Sequence, residues 1–262
     1  MKISLSTLAS ATIPRQKGDR MRNGTLVGIL LSLAISTNVL ASDKMVIGTG
    51  LKPPLVSSET APGFLDTLAK EVFHRLGIEL KVIILPAERA LINANNGIED
   101  GNLLRIKGLE KQYPNLIRVP EKMMNSEFVG YAVKPIVSRP GWTRLSNLIV
   151  TYPKGWKIFD ANTKRAEKVL MVGDPLQMFA LLREDRADVA LYEKWQGLLQ
   201  ARNAGLQGHK VLNPPFASME MFMYLNKKHK ALVPKVAKTL QQMKQDGTYQ
   251  KIFDQTLTPL LH

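Results

Sequence analysis

The sequence predicts an α/β protein of two lobes joined by two crossing strands. Three observations predict it. Short apolar runs of strand character alternate with amphipathic helical stretches. A proline- and glycine-marked break near residue 140 is followed by a restart of the same alternation. Late in the chain a further apolar strand leads into a long closing helix.

Met45 to Gly50 reads as the first strand, ended by the turn Gly50-Leu51-Lys52-Pro53-Pro54, where proline removes backbone donors. Phe64, Leu68, Val72 and Leu76 recur at four-residue spacing, widened by Leu65 and Phe73, and predict a helix with Gly77 as its left-handed stop. Glu79 to Leu85 is a β-branched strand. Pro86 then opens a second helix carried by Ala87, Ala90, Leu91 and Ala94 and closed by Asn96-Gly97. Ile98 to Arg105 returns as a strand, and this order points to parallel pairing through crossovers.

After a polar stretch, Phe128 to Val133 is a strand, and Pro135, Pro140 and Gly141 mark a boundary between lobes. Leu148 to Thr151 is the next strand, Asp174-Pro175 an N-cap with proline at the first helical position, and Ala187 to Tyr192 a strand running into a helix from Glu193 to Asn203. Met219 to Tyr224 alternates as a strand that carries the chain back. Val233, Val236, Leu240 and Met243 build the closing helix, broken by Gly247. The expected division is residues 1–41 as an export segment, 42–133 as the first part of lobe 1, 134–218 as lobe 2 and 219–262 as the return to lobe 1.

The export segment is read from Met21-Arg22, the apolar run Leu26 to Ile35, and the small-residue ending Val39-Leu40-Ala41. Cleavage is expected near Ala41/Ser42, with either Met1 or Met21 as the start. That run falls short of the ~20 residues a membrane anchor needs, so the expected location is the periplasm. The 262 residues contain no cysteine, which excludes a disulfide framework and a cysteine-linked lipid. The formal net charge is +14. Lys and Arg are interleaved with Asp and Glu and no nucleic-acid motif is present, so the expected partner is a small ligand rather than nucleic acid. The four histidines have no metal-ligand spacing, and no nucleophile elbow, His-Glu-x-x-His motif or cysteine nucleophile occurs. No cofactor, no metal and no catalysis are expected.

Several segments resemble the amino-acid-type periplasmic solute-binding proteins of ABC importers. Gly63-Phe64-Leu65-Asp66 resembles the opening of that family's first helix, and Asn96-Gly97-Ile98-Glu99-Asp100-Gly101 its helix end, turn and acidic strand. Arg186-Ala187-Asp188-Val189-Ala190-Leu191 is similar to its second-lobe strand, and Met243-Lys244-Gln245-Asp246-Gly247-Thr248-Tyr249 to its C-terminal ending. The resemblance covers nearly all of the chain after residue 41. It implies the two-lobed periplasmic-binding-protein type II fold, which closes on a small polar or zwitterionic solute for delivery to an inner-membrane ABC permease. It also implies a monomer. Two alternatives stay open: presentation of the ligand to a membrane sensor, and a small-acid dehydratase on the same fold, with Glu193 or Glu88 moving the proton.

A zwitterion needs a cation for its carboxylate and an acid for its ammonium. Glu193 falls where the family places that acid; it also reads as a helix-start acid favoured by the dipole. Arg105 ends its strand and can fork onto a carboxylate, or stand as a solvated strand-end cation. The family's arginine lies a few residues further on, after a Ser/Thr-rich stretch missing here. Arg89, at a helix start on the same cleft, is a second candidate, with pairing to Glu88 as its alternative. Lys154-Gly155-Trp156-Lys157 takes the place of the family's Gly-Ser/Thr-Thr loop; Trp156 either stacks on ligand or packs under the hinge. Lys157 within this loop and Tyr152 just before it complete the candidate set. Lys52 and Leu55 stand where relatives often carry aromatics.

Overall fold

The computed structural model describes residues 43–57, 62–136 and 141–261. The export segment, residues 1–41, and the boundary residue Pro140 lie outside the described residues.

Strand β1 (Asp43–Thr49) pairs in parallel with β2 (Ile78–Ile84) across helix α1 (Phe64–His74), and with β3 (Gly101–Arg105) across helix α2 (Ala87–Asn96). Helix α1 forms where its spacing predicts, burying Phe64, Leu65, Leu68, Val72 and Phe73. Gly77 and Gly97 follow the two helices with φ of +74° and +76°, the left-handed region that glycine enters without strain. The third strand starts at Gly101 rather than Ile98, because Gly97 to Asp100 is spent turning out of α2.

Short β4 (Leu116–Arg118) leads to β5 (Met124–Ala132). A second sheet then grows around β5, with β6 (Ile149–Pro153), helix α3 (Lys157–Asn162), β7 (Lys168–Val172), helix α4 (Pro175–Arg183), β8 (Val189–Glu193) and helix α5 (Lys194–Asn203). Strand β8 is antiparallel to β5, and β6 lies parallel to both β8 and β7. Two-residue β9 (Lys210–Val211) pairs with β5, and the chain returns through β10 (Ala217–Asn226) to helices α6 (Val233–Gln245) and α7 (Thr248–Thr256).

The two sheets share β10. Its first half, Ala217–Met221, pairs with β5. Its second half, Phe222–Asn226, pairs with β3 and β4. Between β4 and β5 the other crossing segment stays bonded to β10, Val119 N–H donating to Met223 O (2.9 Å) and Met123 N–H to Met221 O (2.8 Å). Two antiparallel segments thus connect the sheets, as the two-lobed reading requires. β5 belongs to the second sheet and ends at Ala132, three residues before Pro135.

The core continues from α1, β1 and β3 through Tyr131, Phe179 and Trp195 to α6 and α7. Trp195 on α5 meets Phe253 on α7 edge to face at 5.2 Å, which ties the start of α5 to the C-terminal helices. Among the described residues no helix is long and apolar enough to cross a membrane.

Candidate functional site

Parallel strands leave their carboxyl ends pointing at one rim, where helix N-termini begin and ligands of open α/β sheets bind. Lys52 just after β1 and Arg105 at the end of β3 stand at the carboxyl rim of the first sheet, and Glu193 at the end of β8 stands at that of the second.

Glu193 is the last residue of an otherwise apolar strand, Val-Ala-Leu-Tyr-Glu, and the N-cap of α5. Its Oε2 accepts from the backbone N–H of Gln196 (3.0 Å) and from Gln196 Nε2 (3.3 Å). The residue is only 1% exposed, and its Oε1 has no hydrogen-bond partner. Burial pushes the carboxyl up to about 7, against the bonds from Gln196 and Trp195. A buried acceptor left over in this way requires a donor to be stable as a carboxylate.

On the facing side Arg105 is half-buried and fixed by two bonds. Its Nε donates to Asn102 Oδ1 (2.6 Å) and its Nη2 to Ala87 O (2.8 Å), while Asn102 Nδ2 donates to Gly48 O (2.8 Å). The guanidinium is therefore aimed by β1 and the first turn of α2, with burial as the main influence lowering its pKa. Lys52 is near enough to feel both charges. Burial first and Arg105 second bring its ammonium down to about 8, with Glu193 acting in the opposite direction. Among the described residues its Nζ has neither a hydrogen bond nor an ion pair.

Arg105 and Glu193 both act on Lys52, which the sequence reading noted only as a departure from an aromatic pattern. The available signal was a cation at the carboxyl end of a parallel strand, inside a proline-held turn. Trp156 is half-buried at the N-cap of α3; it stacks on Phe159 (5.5 Å, 20° between planes) and meets Tyr192 (4.8 Å) and Phe128 (6.0 Å). Phe128 pairs with Glu193 across the strands, so this aromatic group walls the second-sheet side of the carboxylate. Tyr152 is buried, and its hydroxyl is engaged with Asp160 Oδ1 (3.1 Å) and Thr163 Oγ1 (3.3 Å). Lys157 and Arg89 are exposed. Glu88 is taken by the Tyr113 hydroxyl at 2.7 Å rather than by Arg89. No group of histidine and acidic residues among the described residues has the arrangement of a metal site.

Solved structures of the same build are numerous. An amino-acid ABC transporter extracellular-binding protein of Bacillus subtilis, described as probable, superimposes with a TM-score of 0.69 at 16% identity, over 82% of this chain and 98% of that one. It shares their fold. An ancestral cationic amino acid solute-binding protein gives 0.68 at 19% identity, over 82% and 95% of the two chains. An ancestral arginine-binding protein bound to glutamine gives 0.61 at 20% identity, over 81% and 97%. In sequence the chain is 24% identical over 191 residues to an uncharacterized protein of Shewanella oneidensis, 68% of this chain and 69% of that protein. No protein-family model matches. The α/β, two-lobed fold with crossing strands expected from the residues is thus the fold observed.

Proposed function

We propose that this protein captures a small amino acid or related carboxylate between its two lobes and delivers it to an inner-membrane ABC permease, without transforming it. The observation that carries the reading is the unpartnered Oε1 of buried Glu193 at a strand end of the second sheet, with the cations Lys52 and Arg105 at strand ends of the first. A zwitterion supplies what each side lacks: its ammonium donates to Glu193 and its carboxylate accepts from the fixed Arg105 guanidinium. Because the two groups sit on different sheets, one ligand holds both, which favours the closed arrangement. The amino-acid-binding proteins of the same fold support this reading. The first lobe then comprises β1 to β4 with α6 and α7, the second β5 to β9, and the crossings lie at Val119–Met123 and at the middle of β10. The mature chain acts as a monomer in the periplasm after cleavage near Ala41/Ser42.

A thermal-shift screen of the twenty amino acids and small organic acids tests the reading, since a ligand that binds only the native state raises its melting temperature. A hit among amino acids, recovered chemically unchanged by mass spectrometry, is the expected result. A hit that is converted sinks the non-catalytic reading, and the absence of any hit among amino acids and organic acids sinks the capture reading.

A further inference from the structure

Met221 to Gln245 departs from the interleaving of acids and bases along the rest of the chain: it holds six lysines and one histidine and no acidic residue. Five of the lysines, Lys227, Lys228, Lys230, Lys235 and Lys238, lie within residues 227–238, and all five are exposed. The segment leaves the end of β10, turns through the short 3-10 helix Lys227–His229 and enters α6. Leu225 of β10 pairs with Gly101 and Phe222 with Arg105, so the run begins at the amino end of the first sheet, away from the rim that carries Arg105. The bond from Lys228 Nζ to Gly97 O at the close of α2 (2.9 Å) fits this place.

The carboxylates nearest the run already have partners. Asp100 holds Lys228 (2.8 Å) and His229 (2.7 Å), and Glu121 holds Lys244. On the flanking elements Glu71 and Asp246 both hold Arg75 (2.9 and 2.6 Å), Glu79 holds Lys44 (3.2 Å), and Glu110 holds Arg118 (3.4 Å). Asp66 and Glu99 are buried, and on α7 Lys251 balances Asp254. Lys227, Lys230, Lys235 and Lys238 have no ion pair among the described residues.

Composition decides what such a surface fits. The centre of a protein interface is enriched in aromatic side chains, methionine and arginine and depleted of lysine. From Lys227 to Gln245 the exposed residues are lysine, alanine, proline and glutamine alone. Lysine is a hydrated point charge on a flexible stem, suited to many dispersed phosphates rather than to one fixed partner group. A cluster of about four to eight basic residues is enough to hold a protein on an anionic bilayer, in a contact that salt weakens.

We propose that the run from Lys227 to Lys238 docks on an anionic phospholipid bilayer. The contact leaves the carboxyl rim of the sheet free, and under the capture reading above it keeps the protein beside the membrane that holds the permease. The proposal itself stands on the charge distribution and not on the ligand.

The test is co-sedimentation of the mature chain with vesicles of phosphatidylcholine alone and of phosphatidylcholine with about one-third phosphatidylglycerol. Two variants of equal net charge accompany it: Lys230→Gln/Lys235→Gln/Lys238→Gln on the run, and Lys164→Gln/Lys168→Gln/Lys210→Gln at exposed lysines around the second sheet. The expected result is binding to the phosphatidylglycerol vesicles only, weakened as salt rises. It falls about tenfold or more in the first variant and less than about threefold in the second. No binding to either vesicle at low salt, equal losses in the two variants, or undiminished binding by the first variant each overturns the proposal. Binding to soluble polyglutamate but not to vesicles also overturns it, and assigns the run to an acidic protein. Should the first variant not fold, amine labelling of the wild type with and without phosphatidylglycerol vesicles decides. Protection of Lys230, Lys235 and Lys238 above Lys164, Lys168 and Lys210 is expected, and equal labelling overturns the proposal. A failed amino-acid screen leaves this result untouched.

Discussion

Replacing Glu193 by glutamine is expected to stabilise the ligand-free protein at neutral and higher pH while disabling capture. The carboxyl is buried and one of its oxygens has no partner. Its pKa stands at about 7 against an ordinary 4.5, with burial as the leading cause. Between those values the folded protein retains a proton that the unfolded chain has lost. Stability therefore falls as pH rises through this window and levels off above the folded pKa. At about 1.4 kcal/mol per pH unit the whole effect is about 3 kcal/mol. Glutamine fills the same space and keeps an oxygen for the Gln196 N–H, but it cannot ionise. Lys52 titrates at about 8 in the folded state, so its own contribution, a rise in stability as pH climbs above that value, lies outside the window. Urea unfolding of both proteins at pH 5 and pH 8 measures the effect, and subtracting one pH difference from the other cancels the remaining groups. The wild type should lose about 2–3 kcal/mol more than the variant across this range. Equal losses in the two proteins would refute the buried, proton-holding carboxyl.

Other perturbations have definite expected outcomes. Arg105→Ala should weaken ligand binding by about 2–5 kcal/mol by calorimetry, because the ligand carboxylate is left in a desolvated site without its fork. Gly197→Ala should lower stability by about 1–3 kcal/mol in denaturant unfolding, since a Cβ on that α5 glycine overlaps the hydroxyl end of the buried Tyr131 ring. Asp174→Ala should cost about 1 kcal/mol, because the side chain accepts from the N–H groups of Leu176 (2.8 Å) and Gln177 (3.0 Å) at the start of α4.

Much of the fold was legible because the residues repeat with the period of their element. The stripe Phe64, Leu68, Val72 and the stop at Gly77 define α1 without any tertiary information, and Asp174-Pro175 marks the start of α4. Elements without such a period were missed. Helix α3 spans only six residues, and β7 is an outer strand whose half-buried residues follow no strict alternation. The crossing segment Val119–Met123 is identified by its bonds to β10, a partner about a hundred residues away, and by no local signal. In the site, Glu193 was legible as an acid closing an apolar strand, and Arg105 as a cation ending another. Lys52 was not, since a lysine in a turn reads as solvated; its burial follows from the return of the chain at Val56 and from the approach of Ala87. Tyr152 was read as a ligand group, and its hydroxyl contacts Asp160 and Thr163.

The central claim is that one small molecule bridges the two sheets. A crystal structure of the mature chain grown with the amino acid that most raises its melting temperature addresses it directly. Density is expected with the amino group on Glu193 Oε1 and the carboxylate on Arg105. A ligand seated on one sheet alone, or in the ≈ 510 Å³ groove between Leu198, Gly205 and Leu260, would contradict it.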